Sequence, residues 1–301
     1  MKVAQIGLGK MGSIMAKHLS DDKVDLCVYD KAPGRADAFA DPIRKAHSLA
    51  DAVKGCDYVV VSLPDPAAAR GAMFADDGIL ASAARGTTIL DLSTVDPQTA
   101  RDIYAKAASL GIHYVEAPIS GGEPMSAGTD GAMKRNITFM VGTDSESFEK
   151  AKPLMDRLGK FPILVGPAGM GATIKLISNY ISGLHNIVAS EGFALGKAAG
   201  LDFDLMLEVF AHTDANSFWL FNYFGPRVKA GDFEPGFSVD LQWKDLRLAD
   251  DLARELKVPM PLNAAGLQMY QMLRADGRGN KDVCEMANLL AEMAGQETYV
   301  K

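Results

Sequence analysis

Val3-Ala4-Gln5-Ile6-Gly7-Leu8-Gly9-Lys10-Met11-Gly12 is the stretch that decides the fold: an apolar run passes straight into a G-x-G-x-x-G loop. The run reads as a strand. Met11, Ile14, Met15 and Leu19 then recur at helical spacing, so the loop opens a helix. Gly7 permits the tight turn, Gly9 lets a phosphate approach the backbone, and Gly12 allows close helix–strand packing. A pyrophosphate would lie on the amides of the helix N-terminus, where the helix dipole favours negative charge. Strand, glycine turn and helix together make a dinucleotide site, with Gly7, Leu8, Gly9, Lys10, Met11 and Gly12 around the phosphates.

Outward from this loop, short apolar runs alternate with helical patterns. Strands are predicted at Lys2–Ile6, Val24–Tyr29, Asp57–Leu63, Thr88–Asp91, His113–Ala117, Ile137–Val141 and Pro162–Val165. Helices are predicted between them, as at Pro97–Leu110 and Ser145–Leu158. Such alternation gives an α/β fold, a doubly wound Rossmann-type parallel sheet with helices on both faces. Past Gly166-Pro167 the strand signals stop. Leu176, Ile177, Tyr180, Ile181, Leu184, Ile187 and Val188 recur at three- and four-residue steps, predicting one long helix over about 172–199. Further helical patterns follow, so residues 167–301 read as an all-α domain joined to residues 1–166 by that helix.

The bulk properties bound the function. Apolar residues make up 48% of the 301, and charged residues 23%, with a net charge of −7 and the signs interspersed. No basic stripe is offered to nucleic acid. No run of about 18 apolar residues predicts a membrane span, and no signal peptide is recognisable, so a cytoplasmic location is expected. The three cysteines are widely spaced, and the five histidines show no ligand spacing with cysteine or acid, so no metal site is expected.

Asp30 ends the second predicted strand, about 20 residues beyond the glycine loop, where an acid accepts hydrogen bonds from ribose hydroxyls. This favours NAD. Lys31 and Arg35 leave NADP as the alternative, since either could face a 2′-phosphate. Two other stretches carry chemistry. Ser120-Gly121-Gly122 follows a predicted strand at its carboxyl end, and successive glycine amides suit a carboxylate, though a plain structural turn explains the spacing equally well. Lys175 and Asn179 stand four apart in Gly169-Met170-Gly171-Ala172-Thr173-Ile174-Lys175-Leu176-Ile177-Ser178-Asn179 and so share a helical face. Apolar neighbours hint at burial, which lowers a lysine pKa toward the range useful for proton exchange. By pattern alone, a solvated surface charge remains the commoner fate of Lys175, as it does of Lys244 in Lys244-Asp245-Leu246-Arg247-Leu248-Ala249.

Taken together, these segments resemble the β-hydroxyacid dehydrogenases, the 3-hydroxyisobutyrate dehydrogenase family, over nearly the whole chain. The motifs that carry the likeness are Gly7 to Leu19, Asp91-Leu92-Ser93-Thr94 with Pro97, Ser120-Gly121-Gly122, Gly169-x-Gly171-x-x-x-Lys175-x-x-x-Asn179, and Lys244-Asp245. The resemblance implies an active site between the two domains. It implies Lys175 as general acid/base, Asn179 as a substrate contact, and Ser120 with the amides of Gly121 and Gly122 as holders of the substrate carboxylate. It places Leu63, Pro64 and Thr94 against the cofactor, with Lys244 near its nicotinamide end. The implied partner is a small hydroxy acid or its semialdehyde, and the implied assembly a homodimer or homotetramer. Ser120 to Pro124 and Leu273 to Gly277 are similar to the tartronate semialdehyde reductase branch. Glu116 stands where the family commonly has aspartate, and Tyr180 where a second asparagine is common. The aromatic stretch Phe218 to Phe224 reads as helix core, subunit interface or pocket lining. A 6-phosphogluconate dehydrogenase relative is a competing reading, although Ser178 stands where that chemistry usually has histidine. A non-catalytic dinucleotide-binding protein is the other.

Overall fold

The computed structural model describes residues 1–121 and 128–299. The chain divides into two compact units, Met1–Lys175 and Leu176–Lys301.

The first unit is built on one sheet. Its strands are β1 (Lys2–Ile6), β2 (Asp25–Tyr29), β3 (Arg44–Lys45), β4 (Tyr58–Val61), β5 (Thr88–Asp91), β6 (His113–Glu116), β7 (Ile119–Gly121), β8 (Ile137–Gly142) and β9 (Phe161–Gly166). The order is β3-β2-β1-β4-β5-β6-β8-β7, with β9 also on β8. From β3 to β6 every pairing is parallel, and the order reverses direction at β1, between β2 and β4. The fold is therefore the expected doubly wound one, whose ligands bind beyond the carboxyl ends of the strands at the switch point.

Period-2 alternation explains why both faces are covered. Val3, Val28, Val60, Leu90 and Val115 point into one core with Met15 and Leu19 of α1 (Lys10–Asp21). Ala4, Val59, Val61, Ile89 and Tyr114 point into the other, against four helices: α2 (Leu49–Val53), α3 (Pro66–Phe74), α4 (Ile79–Ser82) and α5 (Pro97–Ser109). The helices start where the sequence supplies caps. Asp65 and Asp96 accept from the amides of Ala68 and Thr99, both at 2.8 Å, and each is followed by a proline whose missing N–H costs nothing in a first turn.

Two features depart from the sequence reading. The sheet is mixed: β8 runs antiparallel to both β6 and β7. Ser120 and Gly121, expected in a loop after a strand, belong to the short strand β7, paired with Thr138 and Ile137. Three residues ending in glycine, with another glycine next in sequence, carry too little period-2 pattern to read as a strand. After β7 come α6 (Gly128–Met133), β8, and α7 (Ser145–Leu158), capped by Asp144.

Helix α8 (Met170–Ala198) runs for 29 residues and is followed by α9 (Phe203–Ala211), α10 (Gly225–Ala230), α11 (Val239–Leu256), α12 (Pro261–Ala275) and α13 (Glu285–Met293). The second unit has no named strand among its described residues. Its core holds Leu176, Leu248 and Ala249, and a cluster in which Phe193 meets the rings of Phe203, Phe210 and Phe224. The aromatic stretch forms a π turn at Leu220–Phe224 with Leu220, Tyr223 and Phe224 buried, while Phe218 stays exposed. Tyr223 donates to the buried Asp282 at 2.7 Å, so this part of the stretch serves the core of the unit. No described helix is long and apolar enough to cross a membrane.

Candidate active site

The glycine loop lies between the end of β1 and the start of α1. Gly7 has φ +86°, and a Cβ there would strike the carbonyl of Ser62. A Cβ on Gly12 would strike the carbonyl of Gly7, so only glycine lets α1 close onto β1. Gly9 differs. A Cβ built there has only the Arg35 guanidinium nearby, at 3.9 Å, and Gly9 caps α1 without any side chain of its own. Open space over a helix N-terminus that carries no side-chain cap is what a pyrophosphate requires, so the loop fits a dinucleotide. Gly12→Val should remove NAD(H) binding in a fluorescence titration while Gly9→Ala retains measurable affinity. Equal binding by the Gly12→Val variant would contradict the packing argument.

Asp30 is fixed by the same loop. One carboxylate oxygen accepts from the amide of Leu8 at 2.6 Å and the other from Ala32 at 2.7 Å. The Arg35 guanidinium approaches at 3.3 Å. Asp30 and Arg35 are thus brought to the glycine loop together.

Across the switch point, a buried network holds the ends of β4, β5 and β6 together. Asp91, 1% exposed, accepts from the amide of Ser93 at 2.9 Å and the hydroxyl of Tyr114 at 3.0 Å. Burial raises its pKa against those hydrogen bonds. The Ser93 hydroxyl in turn accepts from the amide of Leu63 at 2.9 Å. The D-x-S-T element therefore fixes Leu63, beside Pro64, and leads the chain into Thr94. Its aspartate and serine have a structural task that the motif spacing alone does not reveal.

Glu116, at the end of β6, was legible only as a departure from a family pattern. It is 2% exposed, and its Oε1 accepts from the amides of Gly169 and Gly171 at 2.6 and 2.8 Å. It therefore caps α8 from the neighbouring sheet. Gly142 and Gly171 are needed here as well, because a Cβ on Gly142 would meet Oε1 and one on Gly171 would meet the Met140 carbonyl. The remaining oxygen, Oε2, is buried without a hydrogen-bond partner. Burial pushes the pKa up to about 7, although the amides of Gly171, Gly169 and Ala172 pull it down.

One turn into α8 stands Lys175, 8% exposed, which sets aside the surface-charge reading. One turn further is Asn179, 6% exposed. In the second unit, Asn179 is held from α11: its Nδ2 donates to Asp245 Oδ2 at 2.5 Å, and Gln242 donates to its backbone carbonyl at 3.0 Å. Lys244 lies 3.1 Å from Asp245 Oδ1, with only 14% of its side chain exposed. The pair Lys244-Asp245 is therefore part of a buried polar cluster rather than of a solvated helix face. Ser120 and Gly121 lie on β7, while Gly122 lies outside the described residues. No group of three or more His, Cys, Asp or Glu among the described residues could hold a metal ion.

Comparisons with known proteins agree on what this architecture is. Residues 2–171 match the family described as the NAD binding domain of 6-phosphogluconate dehydrogenase. Residues 169–290 match the one described as the NAD-binding region of NADP-dependent 3-hydroxyisobutyrate dehydrogenase. The chain is 33% identical to the NAD-dependent L-serine dehydrogenase of Pseudomonas aeruginosa, over 98% of this chain and 99% of that one. It is 31% identical to the 3-sulfolactaldehyde reductase of Escherichia coli, over 99% of both. Among solved structures, a 3-hydroxyisobutyrate dehydrogenase of Mycobacterium tuberculosis with L-serine superposes with a TM-score of 0.85 at 29% identity, covering 96% of this chain and 98% of that one.

Proposed function

This chain belongs to the β-hydroxyacid dehydrogenase family of NAD(P)-dependent oxidoreductases, and from that premise we propose that it interconverts a small 3-hydroxy acid and its semialdehyde with Lys175 as general acid/base. The observation that carries the reading is the burial of Lys175 one helical turn before Asn179, on a helix whose N-terminus is capped from the sheet by Glu116. A lysine withdrawn from solvent beside a fixed amide is a proton-exchange group with an oriented neighbour, not a solubilising charge.

The residues act as follows. In oxidation, the neutral amine of Lys175 takes the proton of the substrate hydroxyl. In reduction, its ammonium returns a proton to the carbonyl oxygen as negative charge develops there. When bound, the nicotinamide supplies the acceptor or donor of the hydride. Asn179 hydrogen-bonds the substrate beside Lys175. Ser120, with the amides of Gly121 and Gly122, holds the carboxylate. Gly7 to Gly12 carry the pyrophosphate, Asp30 the adenine ribose, and Leu63, Pro64, Thr94 and Lys244 flank the remainder of the cofactor.

The substrate class rests on the carboxylate role given to Ser120 and the proton-exchange role given to Lys175. Tartronate semialdehyde with glycerate and 3-hydroxyisobutyrate lead, followed by serine, 3-hydroxypropionate and a sulfonate analogue. Similarity to proteins named for L-serine, 3-sulfolactaldehyde and 3-hydroxyisobutyrate supports this range. NAD is the favoured cofactor, because the Asp30 carboxylate would face the charge of a 2′-phosphate.

A panel of these acids and semialdehydes, followed by NADH and NADPH absorbance, tests the reading. Turnover is expected with at least one member, with NAD preferred by at least about tenfold, or roughly 1.4 kcal/mol. NAD binding without turnover across the panel would defeat the dehydrogenase reading. A preference for NADPH would defeat the Asp30 argument alone.

A further inference from the structure

The buried cluster on α11 has a feature that the substrate and cofactor assignments leave unused. Asp245 is 1% exposed and divides its two carboxylate oxygens between two partners of different assignment. Oδ2 accepts from the Asn179 side-chain amide at 2.5 Å, and Oδ1 faces the Lys244 ammonium at 3.1 Å. The first is a charge-assisted hydrogen bond that fixes the amide; the second is an ion pair, since Oδ1 accepts no hydrogen bond among the described residues. A carboxylate can only accept, so it dictates that the amide nitrogen of Asn179 faces α11. Gln242, three residues earlier on the same face of α11, fixes the Asn179 backbone as well.

We propose that Asp245 is a positioning residue that sets the side chains of Asn179 and Lys244 with one carboxylate, so that the substrate contact and the cofactor contact share a single buried anchor. The inference rests on the substrate role given to Asn179 and the cofactor role given to Lys244. Asp245 is itself withdrawn from the surface, 1% exposed, behind these two side chains. It acts through its two neighbours, and its loss should therefore appear in two binding constants at once.

The chemistry gives a test that a merely structural role would not satisfy. Leucine at position 245 is close in size but has no polar atom and removes both of these contacts. Asparagine retains one carbonyl oxygen and can hold one partner, not both. Asp245→Leu is expected to raise KM for the hydroxy acid and KM for NAD by about tenfold each. In an Asn179→Ala background the same substitution should change the hydroxy-acid KM by less than about twofold, and in a Lys244→Met background the NAD KM by less than about twofold, because residues acting as one unit are not additive. Asp245→Asn should restore one of the two constants and leave the other raised. Full additivity in both backgrounds, or both constants within about twofold of the native enzyme in Asp245→Leu, would overturn the proposal. If the leucine variant does not fold, the asparagine variant decides: one constant raised and one recovered supports the anchor, and any other pattern rejects it. If Asn179→Ala and Lys244→Met alone leave both constants unchanged, the site assignment has failed. If they are impaired while Asp245 variants behave independently of them, only the anchor has failed.

Discussion

Replacing Lys175 by alanine is expected to lower kcat by at least about a hundredfold while the protein continues to bind NAD(H). Positioned general acid–base groups contribute roughly 10²–10⁴-fold, or about 3 to 5 kcal/mol of barrier. The cofactor loop is built from β1, α1 and the Asp30 contact, none of which uses Lys175. Binding, read by quenching or transfer of NADH fluorescence, should therefore survive. Lys175→Arg separates charge from proton exchange. Guanidinium keeps the positive charge but does not release a proton in proteins, so it should be impaired to a similar degree. Near-normal turnover in Lys175→Ala would remove this residue from the chemistry. Normal turnover in Lys175→Arg alone would show that its charge, not its proton, is what the reaction uses.

The cofactor half was legible in the sequence because its constraints are local. The requirement for glycine at positions 7 and 12 comes from backbone contacts within a few residues of the turn and from the adjacent strand. The alternation of Val59, Val60 and Val61 between two cores is simple period-2 geometry. Three things were not legible, and each depends on groups distant in sequence. The strand Ile119–Gly121 exists because β8 offers a partner, not because its own residues prefer extension. Glu116 meets α8 across more than fifty residues, and nothing in Glu116-Ala117-Pro118 announces a helix N-terminus as its partner. Asp245 reads as one more charge on an amphipathic helix until Asn179 is found against it. In the K-D motif the aspartate is the more enclosed of the two.

Glu116→Gln is expected to change the pH dependence of stability rather than merely its level. The carboxyl of Glu116 carries a pKa of about 7 in the fold against 4.5 in an unperturbed side chain, chiefly because burial disfavours the anion. Between those two values the native protein binds a proton that the unfolded chain has lost. Stability from this group is therefore greatest at low pH and falls as pH rises toward 7. At about 1.4 kcal/mol per pKa unit, the loss between pH 5 and pH 8 comes to roughly 2 to 3 kcal/mol. Glutamine still offers one oxygen to the Gly169 and Gly171 amides. It places an amide nitrogen where Oε2 now lies buried and unpartnered. At pH 5 the native carboxyl is protonated and carries its own donor on that oxygen, so glutamine resembles the neutral form but never ionises. Urea unfolding followed by far-ultraviolet circular dichroism reads the difference. The variant should lie close to the native protein or somewhat below it at pH 5 and should gain on it by roughly 2 to 3 kcal/mol by pH 8. Parallel curves, with an equal difference at both pH values, would mean that Glu116 does not titrate in this interval. The helix carrying Lys175 would then be capped by a permanent anion, and its first turn would owe nothing to pH.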